Sequence, residues 1–224
     1  MAIVLDNRSV ADFIKDLGGI SPSRVRLVPA PGTATIKDLI RANAHNGSIC
    51  ELVDGTLVEK VMGPAEGFLA ASVILMMGSY AQRHRLGLVG APDTMLRIAR
   101  KLVRVPDVCF VSFAKLPGGK VPSETVAVLV PDLAVEILSK GNTRGEIKRK
   151  LREYFRSGVR MVWVINPRTQ TGEIYTAVDQ VTSILRGGNM DGGDVLPGFK
   201  LSLMELFSIL PTEPKRRPRN GTKK

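Results

Sequence analysis

Pro131-Asp132-Leu133-Ala134-Val135-Glu136-Ile137-Leu138-Ser139 is the stretch whose reading settles the class of fold. A Pro-Asp break opens it, and a single acid interrupts an otherwise apolar run. Such a bounded run suits a strand buried on both faces, although periodicity alone also admits a helix. The charged segment at 145–156 follows, with Ile147, Leu151, Tyr154 and Phe155 as an apolar stripe at helical spacing and Gly158 as its stop. Residues 161–165 form a second buried run. Strand, helix, strand in that order favours a parallel pair joined by a right-handed crossover.

Working outward, Val105-Pro106-Asp107 leads into a short apolar run at 108–111. Further upstream, Asp54-Gly55 separates runs at 49–53 and 56–61 and signals a two-residue hairpin, because both central residues of a type I′ turn need positive φ. Thr33 or Thr35 can cap a helix that runs to about residue 44 and stops at Asn46-Gly47. Pro64-Ala65 opens a longer helix to about residue 85, which should cover one face of a sheet. Extended runs are expected at 86–89 and 94–98, and a pair at 173–175 and 181–185 precedes a Gly-rich turn at 187–193. This succession predicts an α/β chain of the mixed α+β kind, one mixed sheet flanked by helices. Residues 1–33, with a helical pattern at 10–17, Gly18-Gly19, a strand at 24–28 and the breaker Pro29-Ala30-Pro31-Gly32, read as an N-terminal extension. The main domain is then 34–210, and 211–224 a basic, disordered tail.

Composition narrows the class further. A chain of 224 residues, 44% hydrophobic and 24% charged, is long enough for one domain with a sizeable core. The formal charge of +11 points to an acidic partner. Much of it lies in the tail, where Lys215, Arg216, Arg217, Arg219, Lys223 and Lys224 face only Glu213. That tail reads equally as a phosphate-seeking arm or a solubilising end. Cys50 and Cys109 are too few for a disulfide framework and too far apart for a CxxC motif. The N-terminus has no secretory pattern, and the longest apolar stretch, 68–77, is too short to span a bilayer, so a cytoplasmic protein without membrane association is expected.

The acids carry the chemistry. If the runs at 108–111 and 133–138 pair, Asp107 and Glu136 can reach one hard cation, which takes oxygen ligands and keeps waters in its other positions. Each acid alone also reads as a strand-end residue facing solvent. Glu146, Lys150 and Tyr154 recur at four-residue spacing and share one helix face, which can lie against the strand that carries Glu136. The plainer alternative is a Glu-to-Lys surface pair. Two acids on neighbouring strands with a nearby ammonium are the equipment of a metal-dependent phosphodiesterase.

Taken in order, Val105-Pro106-Asp107, the 131–139 stretch, Lys150 and Tyr154, Gly158-Val159 and Trp163-Val164-Ile165-Asn166-Pro167 form a series. Glu51-Leu52-Val53-Asp54-Gly55 precedes it and Leu196-Pro197-Gly198-Phe199 follows. Over roughly residues 34–208 this series resembles the Uma-type restriction endonuclease family, within the PD-(D/E)XK nuclease superfamily. The resemblance implies a restriction-endonuclease-like core with flanking helices and Mg²⁺-dependent (or Mn²⁺-dependent) endonuclease cleavage of nucleic acid, DNA in the first instance. It implies Asp107 and Glu136 as metal ligands, Lys150 as the catalytic lysine and Glu51 as an assisting acid. Two departures stand out. Leu138 occupies the position two after Glu136, so the lysine is displaced onto the helix, where Lys148 is a rival; and Pro64-Ala65-Glu66-Gly67 lacks the family's histidine, for which Glu66 is a candidate substitute.

Other chemistries find little support. His45 and His84 are the only histidines, and no zinc spacing, GxSxG elbow or phosphate-binding GxxxxGK[ST] loop occurs. The rival in a different class is a non-cleaving nucleic-acid-binding or regulatory module with a degenerate site. A homodimer that uses the helix around Met76 and Met77 is a third reading, set against simple burial of those residues in a core.

Overall fold

The structure, a computed structural model, describes residues 9–45 and 48–211. The 131–139 stretch is a strand, β7 (Leu133–Ile137), inside a sheet of six. Its neighbours are β3 (Gly87–Gly90), β6 (Val108–Ser112), β8 (Met161–Asn166), β9 (Thr171–Ala177) and β10 (Gln180–Ile184), in the spatial order β10-β9-β8-β7-β6-β3. β7 and β8 are parallel, and the other pairs are antiparallel. The connection between them is α4 (Arg144–Ser157), so the strand, helix, strand unit forms as expected.

Side-chain alternation divides the central strands between two cores, because successive residues of a strand point to opposite faces. Val108, Phe110, Leu133, Val135, Ile137, Trp163 and Ile165 face one core. There α3 (Pro64–Arg83) covers the sheet with Leu69, Ala70, Val73, Met77 and Ala81, and α5 (Leu203–Ser208) adds Leu206 and Phe207. Met77 is buried and Met76 packs against this core. The residues of opposite parity, Cys109, Ala134, Val162 and Val164, face α4 and a second sheet. Asp107 and Glu136 share that parity.

The second sheet was not anticipated as a separate unit. It consists of β1 (Cys50–Val53), β2 (Thr56–Glu59), β4 (Leu96–Ala99) and β5 (Leu102–Arg104), all antiparallel, in the order β2-β1-β5-β4. The β1-β2 hairpin turns at Asp54 and Gly55, with φ of 50° and 77° as the turn demands. Val53, Val58 and Leu102 join the core shared with α4, while Cys50, Leu52, Leu57 and Val103 pack with α2 (Ile36–His45) on the far side. Thr35 and Asp38 cap α2 reciprocally.

Residues 9–33 are packed against the domain. α1 (Val10–Asp16) is followed by Gly18, whose backbone meets the start of α4 so closely that an added Cβ would lie 2.5 Å from Glu146 N. Leu17, Ile20 and Val25 are buried in the core beneath α4. The expected strand at 24–28 reduces to one bridge, Val25 to Val58, after a 3₁₀ turn at Pro22–Arg24. Downstream, part of the Gly-rich turn is instead a strand, β11 (Asn189–Asp191), paired with β12 (Lys200–Ser202). The stop at Asn46-Gly47 and the basic residues from 213 onward lie outside the described residues. Among the described residues no helix is long and apolar enough to cross a membrane.

Candidate active site

Asp107 lies one residue before β6, after Pro106, and its N–H donates to Val135 O at 3.0 Å. The β6-β7 register pairs Val108 with Val135, so one step further sets Asp107 opposite Glu136. Directly opposed residues share a face, with Cβ atoms roughly 4.5–5.5 Å apart. Asp107 Oδ2 accepts from Ile137 N at 2.6 Å, which fixes the carboxylate against β7. Both acids are buried, neither one a solvent-facing strand end.

α4 approaches this pair with the face foreseen for it. Thr143 caps the helix by accepting from Glu146 N at 3.0 Å, and Gly158 closes it in the left-handed conformation at φ 95°. Lys150 Nζ donates to Glu136 Oε2 at 2.8 Å, and Tyr154 OH donates to Glu136 Oε1 at 2.6 Å. Glu146 points away to Arg24, which grips both its oxygens at 3.0 and 2.7 Å. Lys148 is exposed, so Lys150 is the lysine of α4 in contact with Glu136.

The second sheet completes the cluster from the other side. Glu51, on β1, accepts from Val105 N at 3.0 Å, pairs with Arg104 at 2.6 Å and lies 3.6 Å from Lys150 Nζ. It is almost fully buried, on a strand paired on both sides. Arg104 turns its Nε to Glu153 Oε2 at 2.9 Å. Lys60, just past β2, places Nζ 2.8 Å from Asp107 Oδ1 and 2.7 Å from Val105 O. Sequence reasoning missed Lys60 and Arg104. Strand parity was the available signal for Lys60: Glu51 pairs with Val58, and Lys60 is two residues on, hence on the face of Glu51.

Glu66 leaves the site. Its carboxylate accepts from Gly63 N at 2.9 Å and caps α3.

Burial and charge act against each other here. Desolvation raises the pKa of Glu51, yet Lys150 and Arg104 overcome it and hold the carboxyl at about 2. Glu136 is raised above the usual carboxyl value by burial, with Asp107 and Glu51 adding to the effect and Lys150 opposing it. Lys150 is disfavoured as a cation by burial, but Glu136 and Glu51 outweigh that and raise its pKa. It therefore stays an ammonium at neutral pH, able to donate and unable to act as a base. Burial and the neighbouring Glu136 push Tyr154 well above the ordinary phenol, so it too remains a donor.

A family model described as "Putative restriction endonuclease", Uma2, matches residues 36–204. The chain belongs to the Uma2 family. Among solved structures, the fold is similar to that of a "putative nuclease belonging to DUF820" from Anabaena variabilis, with a TM-score of 0.64 and 18% identity over 73% of this chain and 92% of that one. A search of curated proteins returns no match. The Uma2 match runs from α2 to the start of α5 and so includes the six-stranded and four-stranded sheets and every residue of the cluster except Arg24.

The residues present fit the divalent metal that a restriction-endonuclease-like family uses. Among the described residues no three His, Cys, Asp or Glu side chains are grouped to hold an ion. Mg²⁺ does not require three, because it is commonly bound through one or two carboxylates and keeps several waters. Asp107 and Glu136 supply hard oxygen donors side by side, and each oxygen already accepting one hydrogen bond retains a second lone pair.

Proposed function

We propose that this Uma2 protein is a divalent-metal-dependent endonuclease that hydrolyses nucleic acid phosphodiester bonds, with DNA as substrate and Mg²⁺ or Mn²⁺ as the ion. The observation that carries the reading is the opposition of Asp107 and Glu136 across β6 and β7, with Lys150 on Glu136. Asp107 and Glu136 would hold the ion, which supplies Lewis-acid stabilisation to the phosphoryl oxygens. Lys150, permanently charged, orients the attacking water by donating to it and offsets negative charge in the transition state. Tyr154 locks the Glu136 carboxylate in place, and Glu51 steadies Lys150 and Arg104. Basic surface residues would hold the phosphate backbone, giving an affinity that falls as salt rises.

A second reading is favoured by the ion pairing itself: both carboxylates already carry an ammonium partner, Lys60 on Asp107 and Lys150 on Glu136. A module that keeps the fold, binds nucleic acid and does not cut it would be built this way. Oligonucleotide cleavage with and without divalent ion, comparing wild type with Glu136→Ala, separates the two. Metal-dependent cutting that the variant loses supports the nuclease; nucleic acid binding without cutting, with or without Mg²⁺ or Mn²⁺, supports the module.

A further inference from the structure

Lys60 and Lys150 are both nearly buried lysines on the carboxylates of this site, but they are held differently. Lys150 sits between two carboxylates, Glu136 and Glu51. Lys60 has one carboxylate, Asp107, and its other partner is the neutral carbonyl of Val105. Lys60 also borders an open cavity of about 360 Å³, lined with it by Glu59 and by Ser48, Ile49, Val61, Met62 and Pro92. A lysine stem of four methylenes can carry its ammonium from a buried partner to such an opening while its apolar part stays covered. Lys150 is buried between strand and helix, its side chain only 4% exposed.

Charge makes that difference matter. Asp107, Glu136 and Glu51 are matched one for one by Lys60, Lys150 and Arg104. A dication added to this set finds each of these carboxylates already paired and competes for it with the cation that holds it. Displacing Lys150 would remove a cation shared by two buried glutamates, leaving Glu51 with Arg104 alone, which is expensive. Displacing Lys60 leaves Asp107 paired with the metal and gives the ammonium a solvent-connected refuge.

We propose that Lys60 is a positioning residue that competes with the divalent ion for Asp107. Its ammonium holds the carboxylate in the metal-free protein and withdraws toward the adjoining cavity when the ion binds. This rests on Asp107 being a metal ligand. The apparent affinity for metal is then the intrinsic affinity multiplied by the fraction of molecules in which Lys60 has withdrawn.

The test is a calorimetric titration of the full chain with Mn²⁺, wild type beside Lys60→Gln and Lys60→Arg, with circular dichroism to verify folding. Lys60→Gln keeps a donor for Val105 O but removes the competing charge, and should bind Mn²⁺ more tightly by about tenfold or more, the factor lost when only a tenth of molecules are competent. Lys60→Arg holds Asp107 with a forked, permanently charged group and should bind more weakly than wild type. A purely structural lysine would give weaker binding in both variants. Binding by wild type that is unchanged or weakened in Lys60→Gln overturns the competition and leaves the nuclease reading standing. If Lys60→Gln does not fold, tighter or equal binding by Lys60→Arg overturns it instead. Binding by Lys60→Gln alone supports it, and absence of binding in all three proteins overturns both.

Discussion

Lys150 Nζ stands 2.8 Å from Glu136 Oε2, reaching from the second turn of α4 to the penultimate residue of the strand that precedes that helix. The superfamily pattern that the sequence resembles places the lysine two residues after the acid on the strand; here Leu138 is at that position, and the ammonium arrives from the helix instead. Removing it leaves Glu136 and Glu51 buried beside each other. Lys150→Ala should therefore abolish cleavage and cost about 3–5 kcal/mol of stability, as breaking a buried pair generally does. Lys148→Ala, at an exposed position, should change stability by no more than about 0.5 kcal/mol. Urea denaturation and cleavage rates of the two variants check both statements, and equal effects would contradict the assignment to Lys150.

Arg24 ties the N-terminal segment to the helix that carries Lys150. Its pair with Glu146 is buried on both sides, with side-chain exposures of 7% and 5%. Arg24→Ala should destabilise the protein by about 3–5 kcal/mol, because Glu146 keeps its charge in a site built for a cation. The bond that Asn142 Nδ2 donates to Glu146 Oε2 softens this loss without replacing it. A chain lacking residues 1–33 would also expose the pocket of Leu17, Ile20 and Val25, and should melt well below the full chain. A deletion that leaves the melting temperature unchanged would show residues 1–33 to be a dispensable extension.

Acid should unfold the protein partly through Glu51. Its folded pKa of about 2 lies below the ordinary 4.5, so between those values the unfolded chain binds more protons. Stability from Glu51 is thus complete above pH 4.5 and is lost as the pH falls toward 2. Glu51→Gln should be less stable at neutral pH and show a shallower decline in that window. Unfolding free energy by urea titration at several pH values reads this directly; parallel curves for the two proteins would exclude Glu51 as a source of the slope.

Glu136 titrates in the opposite sense. Burial and the nearby Asp107 and Glu51 raise its pKa, so its ionisation costs the folded state and stability from this group falls as pH rises above 4.5. Divalent ions need the ionised form, and Mn²⁺ affinity should begin to drop at a higher pH than for an ordinary glutamate. Calorimetric titrations from pH 7 downward measure the midpoint, and one at or below 4.5 would contradict the crowding described here.

Residues that combine local pattern with a chemical anomaly were readable in the sequence. Glu136 stood out as an acid inside an apolar strand, Asp54-Gly55 as a turn, and the spacing of Glu146, Lys150 and Tyr154 as one helix face; all three take the predicted local form. The second sheet was not readable as such. β5 is only Leu102–Arg104, too short to show alternation. Its strand character comes from pairing with a partner distant in sequence, as Val103 does with Leu52. Arg104, on β5, was hidden for the same reason, whereas Lys60 was signalled only by its parity with Glu51 across the hairpin. Only the packing of the hairpin sheet over β6 and β7 turns two ordinary basic residues toward buried carboxylates.

The most direct measurement is nicking and linearisation of supercoiled plasmid DNA by the purified chain in Mg²⁺ or Mn²⁺, beside Asp107→Asn and Glu136→Gln variants whose folding is verified by circular dichroism. Cleavage by wild type that requires the ion and falls at least about a hundredfold in each variant is the predicted result. Cleavage that persists undiminished in both variants, or without divalent ion, would contradict the placement of a metal-dependent site at Asp107 and Glu136.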